Sequence, residues 1–232
     1  MKDTDHAIFL HRTHYSESSL ITTFYTKKNG IQKFIFQGGK KKSVGIFPLA
    51  LSEIQYYHRP DSELGKLTAT SPLKMLHELS TNPIKSTLAY FIADVLRNCL
   101  KTDQKDIHLF TFLENRIELL SLTTDLSLFN TQFLIDFTYH LGIEPILSTT
   151  VKTYFYLQDG SFSDTYRIGE IVAKNDGVLL IQALFLKEKI DINFSKQAKK
   201  EAFEIMLSYY KLHLPSFDTS NSIEIIREIL YD

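Results

Sequence analysis

Three consecutive lysines, Lys40, Lys41 and Lys42, follow two glycines in Gln37-Gly38-Gly39-Lys40-Lys41-Lys42-Ser43, and Lys27, Lys28 and Lys33 come shortly before them. Lysines clustered in this way attract phosphates without regard to sequence. Aromatic residues nearby, Phe36, Tyr56 and Tyr57, could stack on bases. Two readings of the loop stay open. It is a phosphate-tracking groove, or it is a solvated segment that keeps a sheet edge from pairing. Phe36 reads better as core. Tyr56 and Tyr57 are adjacent on a strand and must point to opposite faces, so at most one can face a nucleic acid. A strand face carrying Arg12, Lys33 and one of these tyrosines is the next candidate surface.

Other fragments that look chemical do not hold up. Gly39-Lys40 resembles part of a phosphate-binding P-loop, but the first glycine of that loop would fall at Phe34 and its Ser or Thr at Lys41. His77-Glu78 begins like a zinc-protease helix, yet the second histidine would fall at Thr81. His11 and His14 are three apart, which in a strand sends them to opposite faces. Asp3 and Asp5 sit where a frayed terminus is expected. Nothing here argues for an enzyme.

The elements that must position the lysines read as β. Ala7 to Arg12 is a short apolar run, and Leu20 to Thr26 is rich in Ile, Thr, Phe and Tyr, residues that suit a half-buried pleat. Lys27-Lys28-Asn29-Gly30 then leads into Ile31 to Phe36. Asn-Gly between two such runs signals a hairpin with a type I′ turn. Phe47 to Tyr57 and Leu64 to Thr70 complete five strands in about 70 residues. That count fits a small closed barrel such as an OB-fold, and other five-stranded barrels also fit.

The texture changes near Ser71-Pro72. Ile84, Leu88, Phe91, Ile92, Val95, Leu96 and Cys99 recur at helical spacing, with Pro83 in the first turn and Asn82 as N-cap. Further helices are expected over about Asp106 to Leu120, Asp125 to Leu141 (ended by Gly142), Lys196 to Leu212 and Ser222 to Tyr231. Between them, Tyr154 to Leu157 and Gly160 to Ser163 flank Gln158-Asp159 as a small hairpin. The domains expected are therefore 1–78 and 79–232, with the hairpin insert at about 146–169.

Of the 232 residues, 44% are hydrophobic, which excludes wholesale disorder. The net charge of −1 conceals a split. Residues 1–60 carry nine Lys or Arg and four acids, a surplus of five positive charges, whereas the rest carries 17 basic and 23 acidic residues. A basic first quarter suggests a module that faces a polyanion. Cys99 is the one cysteine, so neither an intramolecular disulfide nor a multi-cysteine zinc site can form. The first residues, Met1 to His6, lack the apolar core of a signal peptide, and no apolar run is long enough for a membrane span. A cytoplasmic protein with no membrane contact is expected.

Ala7-Ile8-Phe9-Leu10, followed by His14-Tyr15-Ser16-Glu17-Ser18-Ser19-Leu20, resembles the opening of the RecO family. The likeness continues through Lys28-Asn29-Gly30, the loop Gly38 to Ser43, and Leu141-Gly142-Ile143-Glu144-Pro145. It ends in Ser208 to Leu214 and Ile223 to Leu230. Each motif is loose, but their order and spacing span nearly the whole chain. The resemblance implies an α+β fold: a five-stranded OB-fold barrel, then an α-helical domain with a small zinc-finger-like insert. It implies a mediator of recombinational repair, associated with the nucleoid, that binds single- and double-stranded DNA and anneals complementary strands. RecR and the tail of the single-stranded DNA-binding protein are its implied partners, with RecF and RecA engaged indirectly. That tail is acidic with an apolar end, so its site needs a cation beside an apolar groove. Arg97 and Arg116 are the candidates, unless both are ordinary surface arginines. Many RecO proteins hold zinc with four cysteines in the insert. Residues 146–169 here hold neither Cys nor His, and no cofactor is expected. Tyr154, Phe155, Tyr156 and Phe162 are expected to hold the insert by packing. The competing reading is a helical adaptor whose barrel docks protein.

Overall fold

The structure is a computed structural model that describes residues 2–39, 46–59, 62–102, 104–186, 194–218 and 220–231. Its first five strands are β1 (Lys2–His14), β2 (Leu20–Thr26), β3 (Gly30–Phe36), β4 (Leu51–Tyr57) and β5 (Leu64–Pro72). They close into a barrel in the order β1-β2-β3-β5-β4, with β4 returning to pair with β1. All pairs are antiparallel except β3 with β5. This is the OB-fold arrangement. Alternate residues point inward, so Phe9, Phe24, Phe34, Ile54, Tyr56 and Leu67 share one core. Phe24 meets Phe9 and Phe34 edge-on, at 5.4 and 6.1 Å between centroids.

Three local readings need correction. The β2–β3 hairpin forms, but not through a type I′ turn. Gly30 has φ of 67° while Asn29 does not adopt a positive φ, so Lys27 to Asn29 form a three-residue loop closed by a left-handed glycine. The Thr26 hydroxyl accepts from the Asn29 N–H and donates to the Gly30 carbonyl, which fixes that loop. The N-terminus is not frayed. Lys2 to Ile8 pair with β4 and Ala7 to His14 pair with β2, with an irregularity between Phe9 and His11 that lets β1 serve both. β4 starts at Leu51 rather than Phe47. Leu49 has φ of 65° and Ala50 N–H turns back to the Phe47 carbonyl, so the chain bends there first.

Helices α1 (His77–Thr81), α2 (Pro83–Cys99) and α3 (Ile107–Leu122) belong with the barrel in a compact unit, Met1–Thr123. Asn82 caps α2 through its side-chain oxygen, which accepts from Ile84 and Lys85 N–H, and Asp106 caps α3 at Leu109 N–H. The second unit, Thr124–Asp232, holds α4 (Phe129–Leu141), α5 (Asp176–Leu186), α6 (Lys196–His213) and α7 (Ser220–Tyr231). Gly142 ends α4 in a left-handed conformation, as read from the sequence. The expected insert is a three-stranded sheet in the order β7-β6-β8, from β6 (Tyr154–Tyr156), β7 (Ser161–Ser163) and β8 (Val172–Ala173). Aromatic packing does fill it. Phe155 stacks on Phe162 at 4.4 Å, and Phe155 also meets Tyr209 of α6 at 5.4 Å.

Candidate nucleic-acid interface

Register places the exposed residues of the barrel in rows. Lys2 on β1 pairs with Tyr57 on β4, Tyr57 with Lys66 on β5, and Lys66 with Ile35 on β3. Cross-strand neighbours point to the same side, so these four form one outer row spanning about 14 Å at the usual strand spacing. An exposed tyrosine ring therefore stands between two lysines. Lys33 lies two residues before Ile35 on β3 and is likewise exposed. The two adjacent tyrosines separate as alternation requires. Tyr57 is 47% exposed, while Tyr56 is 3% exposed and sits in the core with Phe36.

A pocket of about 450 Å³ opens at the β3, β4 and β5 ends of this row. Ile35, Leu64 and Tyr57 give it apolar walls, and Lys66, Arg59 and His58 are its basic lining residues. None of the described residues lining it is acidic. Glu63 is in the same loop, exposed, and does not line the pocket.

The wall carrying β1, β2 and the start of β3 is closed instead. Ile8, Leu10, Tyr25 and Ile31 are almost completely buried. Tyr25 stacks on Phe110 of α3 at 6.0 Å, and its hydroxyl donates to the Asp106 carbonyl. Burial raises the Tyr25 pKa, so the hydroxyl stays a neutral donor.

The residues singled out from the sequence are dispersed over this barrel. Lys33 shares the outer face with Tyr57. Arg12 is exposed on β1, but it falls in the register row of Thr22 and Phe34, one step out of phase with Lys33. Lys27 and Lys28 lie in the β2–β3 turn and are engaged there. The Lys27 ammonium is 5.6 Å from the Phe110 ring centroid. The Lys28 ammonium is 3.3 Å from the Asp3 carboxylate, and the Lys28 backbone N–H donates to the Asp5 carboxylate at 3.0 Å. A second concavity of about 400 Å³ beside this turn includes Lys105 and His6, but also Asp5 and Glu53. Lys40, Lys41 and Lys42 lie outside the described residues.

Arg97 and Arg116 are on different helices of the first unit. Arg97 pairs with Asp94 on α2. Its charge, after the larger effect of burial, helps to lower the His11 pKa. The Arg116 guanidinium lies 5.4 Å from the Phe112 ring centroid on α3. Sequence reasoning did not pick out Lys2 or Lys66. They are single lysines in different strands, and only the barrel register brings them to Tyr57.

Among the described residues, no group of three or more His, Cys, Asp or Glu could hold a metal ion. Among those residues no helix is long and apolar enough to cross a membrane. The Cys99 thiol is pushed up to about 12 by burial.

Two family descriptions match the chain in tandem: "Recombination protein O N terminal" over residues 1–76 and "Recombination protein O C terminal" over residues 80–221. The chain is 27% identical over 233 residues to the DNA repair protein RecO of Christiangramia forsetii, covering 96% of this chain and 97% of that protein. It is 25% identical over 237 residues to the protein of that name from Flavobacterium psychrophilum, again covering 96% and 97%. With the one from Phocaeicola vulgatus the identity is 26% over 232 residues, and 96% of each chain is covered.

Proposed function

The chain belongs to the RecO family, and from that premise we propose that it is a non-enzymatic DNA-repair mediator whose barrel binds single-stranded DNA. The observation that carries this reading is the outer row Lys2–Tyr57–Lys66, with Lys33 beside it and a pocket at its end whose described lining residues include no acid. Ammonium groups hold phosphates without reading sequence, and an exposed ring accepts any base by stacking. Lys40, Lys41 and Lys42 follow β3 directly in sequence and would extend this attraction, together with Lys27, Lys28 and Arg12. A strand held in this way anneals with its complement and serves RecA loading onto DNA coated by the single-stranded DNA-binding protein. The acidic tail of that protein would meet Arg97 or Arg116, with RecR as a second partner and RecF and RecA engaged indirectly. On this reading, residues 1–78 form the DNA module and 79–232 the partner-binding module. The protein would work in the cytoplasm, at the nucleoid.

Binding of the full chain to labelled single strands over a range of salt tests the proposal. If about four lysines neutralise phosphates, log affinity should fall against log salt with a slope of roughly −3. Replacing Lys40, Lys41 and Lys42 by Ala should flatten that slope by up to about two units. The Lys2→Ala, Lys66→Ala pair should remove about one more, and all sequences should weaken alike. Absence of salt-dependent binding in the unmodified protein would favour the adaptor reading, in which the barrel docks protein.

A further inference from the structure

A row of lysines would hold phosphates equally well on a flat surface, yet this row ends in a pocket of about 450 Å³. That volume is within the range of small-molecule sites, roughly 300–1,000 Å³. The walls are also of the wrong kind for phosphates alone. Ile35, Leu64 and the Tyr57 ring form an apolar slot, with Lys66 and Arg59 among the lining groups and the Gln37 amide able both to donate and to accept. Apolar walls, an aromatic face, an amide and flanking cations are the requirements of a nucleobase with its phosphates. We propose that the pocket receives one unstacked base of the bound strand, stacked on Tyr57 with the adjoining phosphates on Lys66 and Arg59, so that the barrel distinguishes unpaired from paired nucleotides. This rests on the DNA-binding reading above.

The fold supports this route for the strand. OB-folds commonly bind through strands 2 and 3 and the loops after strands 1 and 4. Here the outer face of β2 is largely covered, Tyr25 by its stack on Phe110 and Thr23 at 6% exposure, with Ile21 half-buried, which favours the β3–β5–β4 side and the loop after β4. A base inside a duplex is stacked on both faces and paired at its edge. It reaches such a pocket only by leaving the helix, which a single-stranded base does at little cost.

The test compares the full chain on three probes: a short oligothymidylate, the same backbone made abasic, and a duplex of equal length. The unmodified protein should prefer thymidylate over the abasic strand. Tyr57→Leu should weaken thymidylate binding roughly 5- to 150-fold, the range expected for losing one base–aromatic stack. It should leave the abasic strand, the duplex and the salt slope nearly unchanged, and Tyr57→Phe should retain the preference. Equal losses on thymidylate and abasic strands would overturn the proposal. So would a neutral Tyr57→Leu in a protein whose lysine variants bind weakly, an outcome that spares the DNA reading. Failure of the unmodified protein to bind any strand in a salt-dependent way would remove that reading itself.

Discussion

Asp3 and Asp5, two residues apart on β1, experience opposite electrostatics. The Thr4 N–H holds the Asp3 carboxyl below its usual range, helped by Lys28 and Tyr56. Burial pushes Asp5 above that range, although it accepts from the Lys28 N–H. A carboxyl with a raised pKa in the folded state adds stability that is complete below its unfolded value and is lost as pH rises through the folded value. Asp3 has the reverse sign, and its exposure makes its share small. We therefore expect Asp5→Asn to change the pH profile of the melting temperature. The unmodified protein should gain stability relative to the variant as pH falls from neutral toward 4, and a constant difference across that window would count against the buried-charge account. Burial, with Asp3 and Asp5 nearby, also pushes the Tyr56 hydroxyl up to about 12, so it remains a donor to Asp3. At this scale the sequence showed the separation of Tyr56 from Tyr57, because alternation alone requires it. The pairing of Lys2 and Lys66 with Tyr57 was hidden, since it depends on which strands become neighbours and in which register.

Element ends follow the same division between local and non-local causes. Asn82, Pro83 and Gly142 act where the sequence put them, because capping is decided within one turn of helix. Removing the Asn82 side chain in Asn82→Ala should cost about 1 kcal/mol, read as a fall of roughly 2–4 °C in melting temperature. The full length of β1 could not be read locally, because its polar first residues are ordered by β4, some 50 positions later. Helix α5 was missed for another reason. Val178 to Leu186 is apolar on nearly every side, with Leu179 and Leu186 exposed as well as Val178, Leu180, Ile181 and Leu184 buried, so it shows no stripe. Gly30 combines a local and a non-local demand. Its φ is positive, and a Cβ there would stand 2.5 Å from the Gln104 carbonyl oxygen. Gly30→Ala should therefore cost more than about 1 kcal/mol, and a melting temperature within 1 °C of the unmodified protein would refute the close approach.

Over the whole molecule, the insert raises the question of what replaces metal ligation. Structural zinc needs about four Cys or His ligands, and residues 146–169 hold none. The Phe155–Phe162 stack and the Arg167 guanidinium, 4.4 Å from the Tyr156 ring centroid, supply packing there. Purified protein should contain no stoichiometric zinc, and a chelator should leave its melting temperature unchanged. Phe155→Ala should instead destabilise by about 3–5 kcal/mol. The charge split and the barrel-then-helices order were legible from composition and periodicity. The pocket was not, because its walls come from three strands and a loop separated along the chain.

The double pairing of β1 also bears on how the chain is made. β1 emerges from the ribosome before both strands it pairs with, and β2 can cover one edge almost at once. The other edge waits for β4, whose last residue is Tyr57. At about 5–20 residues per second, that edge stays open for some seconds, time enough to recruit another nascent chain. Of the segment that waits, Lys2 to Ile8, the first five residues, Lys2-Asp3-Thr4-Asp5-His6, are all charged or polar. Charges on an unpaired edge discourage foreign strands, so the residues that look frayed on paper protect β1 until β4 arrives to pair with it.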